Sequence, residues 1–258
     1  MSDLYLFRKS IKDLLRVKRL AVALLLVAIP VVFAIIQRSV DADFNALDTL
    51  NSLTTKLVYG FLLTILSIVF GTDVIARELD DKTIVYLLTR AVPRWRIALT
   101  KFAAAVLMVT LVAWFGALLL VLVTVGPGQI AHSHLGRDLA ILPVGALAYS
   151  AAALAIATLL KRPLIAGLVF AFGWETWVPN MTGAFHKFSI MTYLNVLAPH
   201  GEPEPTAASM MQSMTGAAPD VITMPTAWET LVVTFAVCMV VALVAFSTRE
   251  YVPKEEAD

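Results

Sequence analysis

Apolar residues gather into six long runs separated by short polar stretches: Leu20–Gln37, Leu57–Ala76, Ile97–Val125, Leu139–Leu160, Pro163–Val178 and Leu231–Ser247. A helix needs about 20 apolar residues to cross a hydrocarbon layer of about 30 Å, so runs of this length read as spans. Pro and Gly stand mostly at their ends or between them. The pattern predicts an all-α, polytopic membrane protein with about six transmembrane helices. The fifth run is the weakest, being short and carrying Glu175 between Trp174 and Trp177, and it is expected to be a broken or re-entrant element that finishes beyond Pro179. The first run is longer than a signal-peptide core and lacks a small-residue cleavage site after it, so it reads as a retained span.

Ahead of the first run, Leu4, Phe7, Ile11, Leu14 and Leu15 recur at helical spacing, while Arg8, Lys9, Lys12, Arg16 and Arg19 occupy mainly the other side. Residues 1–19 are therefore expected to form an interfacial elbow helix, against the plainer alternative of a basic leader that only fixes topology. All Lys and Arg except Arg38, Lys56, Arg137 and Lys187 fall before the first span, after the second, between the fourth and fifth, or after the sixth. The positive-inside rule then places both termini in the cytoplasm, as an even number of spans requires. The expected location is the plasma membrane of a bacterium or archaeon, crossed several times.

Composition agrees: 59% of the 258 residues are hydrophobic and 15% charged, against roughly 45–50% and 25% in soluble domains. A formal net charge of +1 provides no field for nucleic acid. The single cysteine, Cys238, excludes an internal disulfide framework and reads as a packing residue. The fourth run is rich in small residues, Gly145, Ala148, Ser150, Ala151, Ala152, Ala153, Ala155 and Ala157, which let helices approach closely within the chain or against a second copy. Residues 180–228 read as an extracytoplasmic loop, apolar enough over Phe185–Leu197 to fold back on the membrane surface. Residues 1–258 are taken as one transmembrane domain.

The most informative stretch is Gly71–Lys101, which leads from the second span to the third. Glu78, Asp80 and Asp81 come first and Arg90, Arg94 and Arg96 last, so a helix from about Glu78 to Thr89 has charges matched to its dipole. Ile84, Leu87 and Leu88 give that helix an apolar stripe suited to docking a partner and passing on its motion. The stretch resembles the permease subunits of type-2 ABC transporters at Gly71, Asp73, Ile75, Glu78, Lys82, Thr83, Ile84, Leu87, Leu88, Val92, Arg94, Ile97 and Lys101. It departs where that family often has Pro, which is Ala91 here, with Pro93 displaced by two.

The resemblance implies a subunit that pairs with a second permease copy, as a homodimer or with a paralogue, and seats a cytoplasmic ATPase. It implies export, and a coupling segment over 77–97 in which Glu78, Asp81, Lys82, Thr83, Leu87, Leu88, Arg90 and Arg94 meet that ATPase. The chain has no Gly-x-x-x-x-Gly-Lys-Ser/Thr loop, so Mg-ATP is expected in the partner and no cofactor or catalytic residue here.

Two intramembrane polar residues are singled out. Asp73 is expected either to anchor the coupling helix by pairing with Arg77 or Arg94, or to be solvated. Glu175 is expected to line the transport path or bond between spans, or to sit at headgroup level beside the two tryptophans. His132, His134, His186 and His200, with several Met residues, fall on the outer side, but their spacing matches no metal motif, and no metal is expected. Two other classes remain. An intramembrane enzyme lacks the expected motifs, and a secondary transporter would show interrupted spans in two related repeats.

Overall fold

The computed structural model describes residues 3–40, 45–80, 94–127, 133–181, 183–200 and 222–248. Helix α1 (Asp3–Leu14) turns at Leu15–Arg16 into α2 (Val17–Val40). Then come α3 (Ala46–Leu53), a stretch wound with π-type turns (Thr54–Leu63) and α4 (Thr64–Asp80), which follow one another without a break. Next are α5 (Arg94–Thr124) and α6 (Leu135–Leu159). Finally α7 (Pro163–Val169) runs into π-type turns (Phe170–Glu175), short 3-10 turns (Val178–Asn180, Gly183–Phe188), α8 (Ile190–Leu197) and α9 (Met224–Thr248).

Five helical segments are long and apolar enough to cross a membrane: Arg19–Val40, Ala46–Val74, Trp95–Thr124, Leu135–Leu159 and Met224–Thr248. They correspond to runs one to four and six, several with ends extended by polar residues. The second begins at Ala46, well before its apolar run, because Asn45 caps α3 by accepting from Leu47 N at 3.2 Å. Pro30 and Pro143 lie inside α2 and α6 without ending them; the Leu139 carbonyl freed by Pro143 accepts from Trp114 Nε1 of α5 at 2.9 Å.

The fifth run is discontinuous, as its glutamate and prolines foretold. From Pro163 to Glu175 the chain climbs about 18 Å at helical rise and reaches the level of Tyr149, about midway along α6. There it leaves the bundle for the turns around Val178–Phe188, which expose Trp177, Met181, Phe185 and Phe188. It re-enters at Ser189, and α8 completes the crossing, packed against α6 and α9. Residues 190–197, which the sequence assigned to a loop folding onto the membrane surface, are thus a helix with Ile190, Met191, Tyr193, Leu194 and Leu197 buried in the bundle. The reason is amphipathic geometry aided by a cap, described below, that a surface helix would not need.

Helix α6 is the hub, touching α4, α5, α7, α8 and α9. Its small residues are used within the chain. A Cβ on Gly145 would fall 2.6 Å from Leu63 Cδ2, and one on Gly71 of α4 would fall 2.8 Å from Ala153 Cβ. Backbones therefore approach where side chains are smallest. The least buried spans are α2 and α9, whose exposed Val, Leu, Ile and Phe side chains form continuous apolar faces.

Candidate functional site

Three polar clusters interrupt this apolar bundle. The first lies at the end that carries both α1 and the close of α4. Arg19, in the first turn of α2, forms an ion pair with Asp73 of α4. Both side chains are partly exposed, at 21% and 28%, so the pair joins two spans rather than filling the core. Phe7, Ile11 and Leu14 of α1 pack into the main core, with α5 as the principal neighbour of α1. Of the apolar stripe read from the sequence, Phe7, Ile11 and Leu14 therefore face protein, while Leu15 is exposed. Asp73 has a described partner on the first span, Arg19; the side chains of Arg77 and Arg94, the partners that sequence proximity suggested, lie outside the described residues.

Glu78 stands in the last turns of α4, and Arg94 opens α5. Asp81, Lys82, Thr83, Leu87, Leu88 and Arg90 lie outside the described residues, as does any helix they form. What is visible is their frame: α4 and α5 pack together, and their facing ends bracket residues 81–93. Trp95 is half exposed at the mouth of this frame, with the Arg96 guanidinium carbon 5.9 Å from its ring centre.

The second cluster surrounds Glu175, which is 5% exposed. Its Oε2 accepts from Tyr149 Oη at 3.0 Å, from Ser189 Oγ at 2.7 Å and from Met191 N at 3.2 Å. Its Oε1 accepts from Ile190 N at 3.2 Å. Ile190 and Met191 are the first residues of α8, where unpaired N–H groups and the helix dipole favour negative charge. Glu175 therefore caps a helix from outside it. Of the alternatives read from the sequence, the bond between elements describes it; headgroup exposure does not. Trp174 Nε1, by contrast, reaches out to Phe188 O at 3.1 Å and braces the excursion.

The third cluster, at the opposite end from α1, was missed by sequence reasoning. Asp138, 4% exposed in the first turn of α6, receives Tyr59 Oη at 3.1 Å on Oδ1. The His200 Nε2 lies 2.8 Å from the same oxygen, off the line of a straight hydrogen bond. The His134 ring stands edge-on to His200, centroids 6.4 Å apart, and the Arg137 guanidinium donates to Pro199 O. These contacts pin the chain where α8 ends. The available signal was Asp138 itself, an acid one residue outside the fourth apolar run, but its partners come from 79 and 62 residues away. Among the described residues no group of three or more His, Cys, Asp or Glu side chains is placed to hold a metal ion.

The clusters hold helices together at both ends and in the middle. Comparison with known proteins gives the context. A family model described as ABC-2 family transporter protein matches residues 4–251, nearly the whole chain. No curated protein matches the sequence.

Proposed function

The chain belongs to the ABC-2 transporter family, and from that membership we propose that it lines the translocation path of an exporter driven by a separate cytoplasmic ATPase. The end carrying α1 faces the cytoplasm of a bacterial or archaeal cell, with both termini there. Mg-ATP binds in the partner, and two permease copies, identical or paralogous, complete the path. The observation that carries the coupling part is the Arg19–Asp73 pair. It ties the first span to the helix that leads directly into residues 81–93, so a push on that segment is delivered to two spans at once. The glycine-close contacts of α4 with α6 support onward transmission, because tightly packed elements move as units rather than deforming.

The broken crossing at Glu175 is a feature that a secondary transporter would share. Both oxygens of that carboxylate are occupied by donors of the chain itself, which supports a structural cap over a coupling-ion site. The test is hydrolysis by the permease–ATPase complex in lipid nanodiscs. Glu78→Ala and Arg94→Ala are expected to lower transport-coupled hydrolysis or assembly, and wild-type values for both would remove the proposed role of this segment.

A further inference from the structure

Helix α1 has two faces of opposite character. Phe7, Ile11 and Leu14 point into the bundle, while Arg8, Lys9 and Lys12 are exposed. Arg16, in the turn before α2, is exposed as well and contacts Asp13 at 3.2 Å. Beside these cations Leu15 and Val17 are 48% and 83% exposed. Cations next to bare apolar side chains, immediately before a span, match the boundary between phospholipid headgroups and acyl chains. The inward side of the same corner holds both ends of residues 81–93: Arg19 grips α4 through Asp73, and α1 packs on α5.

We propose that the exposed basic face of α1 binds anionic phospholipid headgroups of the adjoining leaflet, and that occupancy of this site sets the position of the corner bracketing residues 81–93. The site needs only the charge and placement described. Its effect on hydrolysis rests on the ATPase-coupled reading above. Each Lys or Arg near an anionic surface strengthens binding by about 5-fold, so removing three charges is expected to weaken it on the order of 100-fold.

The full chain in phosphatidylcholine nanodiscs supplies the test, using energy transfer from tryptophan to a headgroup-labelled lipid; Trp95 lies at this end of the bundle. Labelled phosphatidylglycerol should give more transfer than labelled phosphatidylcholine. The preference should fall with added salt and vanish in the Arg8→Gln/Lys9→Gln/Lys12→Gln variant, whose changes are all exposed and whose thermal unfolding should match wild type. Equal transfer from the two lipids, or an unchanged preference in the triple variant, would overturn the lipid site. Competition by inorganic phosphate at equal ionic strength would assign the site to a soluble anion and overturn it too. With the ATPase bound, hydrolysis should respond to anionic lipid in wild type and not in the triple variant; a retained response would sever the link to coupling. If no ATPase associates, the coupled reading fails while the lipid measurement still decides the site.

Discussion

Ser189 Oγ donates to Glu175 Oε2 across 2.7 Å, and this contact joins the two halves of a broken crossing. The serine precedes α8, while the glutamate closes the π-type turns that follow α7. Replacing Glu175 by Ala leaves two backbone N–H groups and two hydroxyls without their acceptor in a buried place. A loss of about 3 kcal/mol is expected, with Glu175→Gln losing less because one carbonyl oxygen still accepts. Unfolding in detergent by denaturant titration measures it; a change under about 0.5 kcal/mol for the alanine variant would deny the capping role.

At the far cluster, Tyr59→Phe removes the phenolic donor from buried Asp138, and His200→Ala removes the second neighbour of the same oxygen. Single losses of about 1–3 kcal/mol are expected. Because both groups act on one atom, the double variant should fall short of or exceed the sum by at least about 0.5 kcal/mol. Strict additivity in a double-mutant cycle would show that the contacts are independent.

Close packing of α4 on α6 makes Gly71 intolerant of a side chain, since its Cβ would meet Ala153 Cβ at 2.8 Å and Ser150 O at 3.2 Å. Neither neighbour can rotate away. Gly71→Val is expected to cost about 1–3 kcal/mol and to lower the yield of folded protein. Gly136→Ala serves as the control, as nothing lies within 4 Å of a Cβ there. Equal stability of the two variants by thermal unfolding would contradict the packing account.

The Arg19–Asp73 pair should matter more for motion than for stability. Partly exposed pairs contribute about 1 kcal/mol or less, so Arg19→Gln and Asp73→Asn should unfold near the wild-type midpoint. Both are expected to lower hydrolysis coupled to transport several-fold, and the charge-exchanged double variant Arg19→Asp/Asp73→Arg should recover part of it. Coupling unaffected by either single change would mean that the pair is incidental.

The spans were legible in the sequence because a long apolar run has few other uses. The irregular fifth crossing was legible too, since Glu175 and Pro179 break its run. What could not be read were contacts between residues distant in the chain: Asp73 with Arg19, or Asp138 with Tyr59 and His200. Proximity in sequence pointed to Arg77 and Arg94, whose side chains lie outside the described residues, whereas the described partner of Asp73 is a cation 54 positions earlier, in the first turn of α2. Residues 190–197 were misassigned for a related reason. Their apolar composition fits a membrane surface as well as a bundle interior, and only the cap from Glu175 distinguishes the two. Asp81, Lys82, Thr83, Leu87, Leu88 and Arg90, proposed as coupling residues from the resemblance, lie outside the described residues.

The most direct measurement of the central claim is cross-linking from residues 81–93. A single cysteine at Thr83, in a Cys238→Ser background, is treated with a short bifunctional reagent in native membranes, and the adduct is identified by mass spectrometry. A covalent adduct with a polypeptide carrying a P-loop is expected, formed in high yield and accompanied by loss of ATP hydrolysis. Abundant folded permease that forms no adduct with any P-loop protein from Thr83, nor from a second cysteine at Leu87, would contradict it.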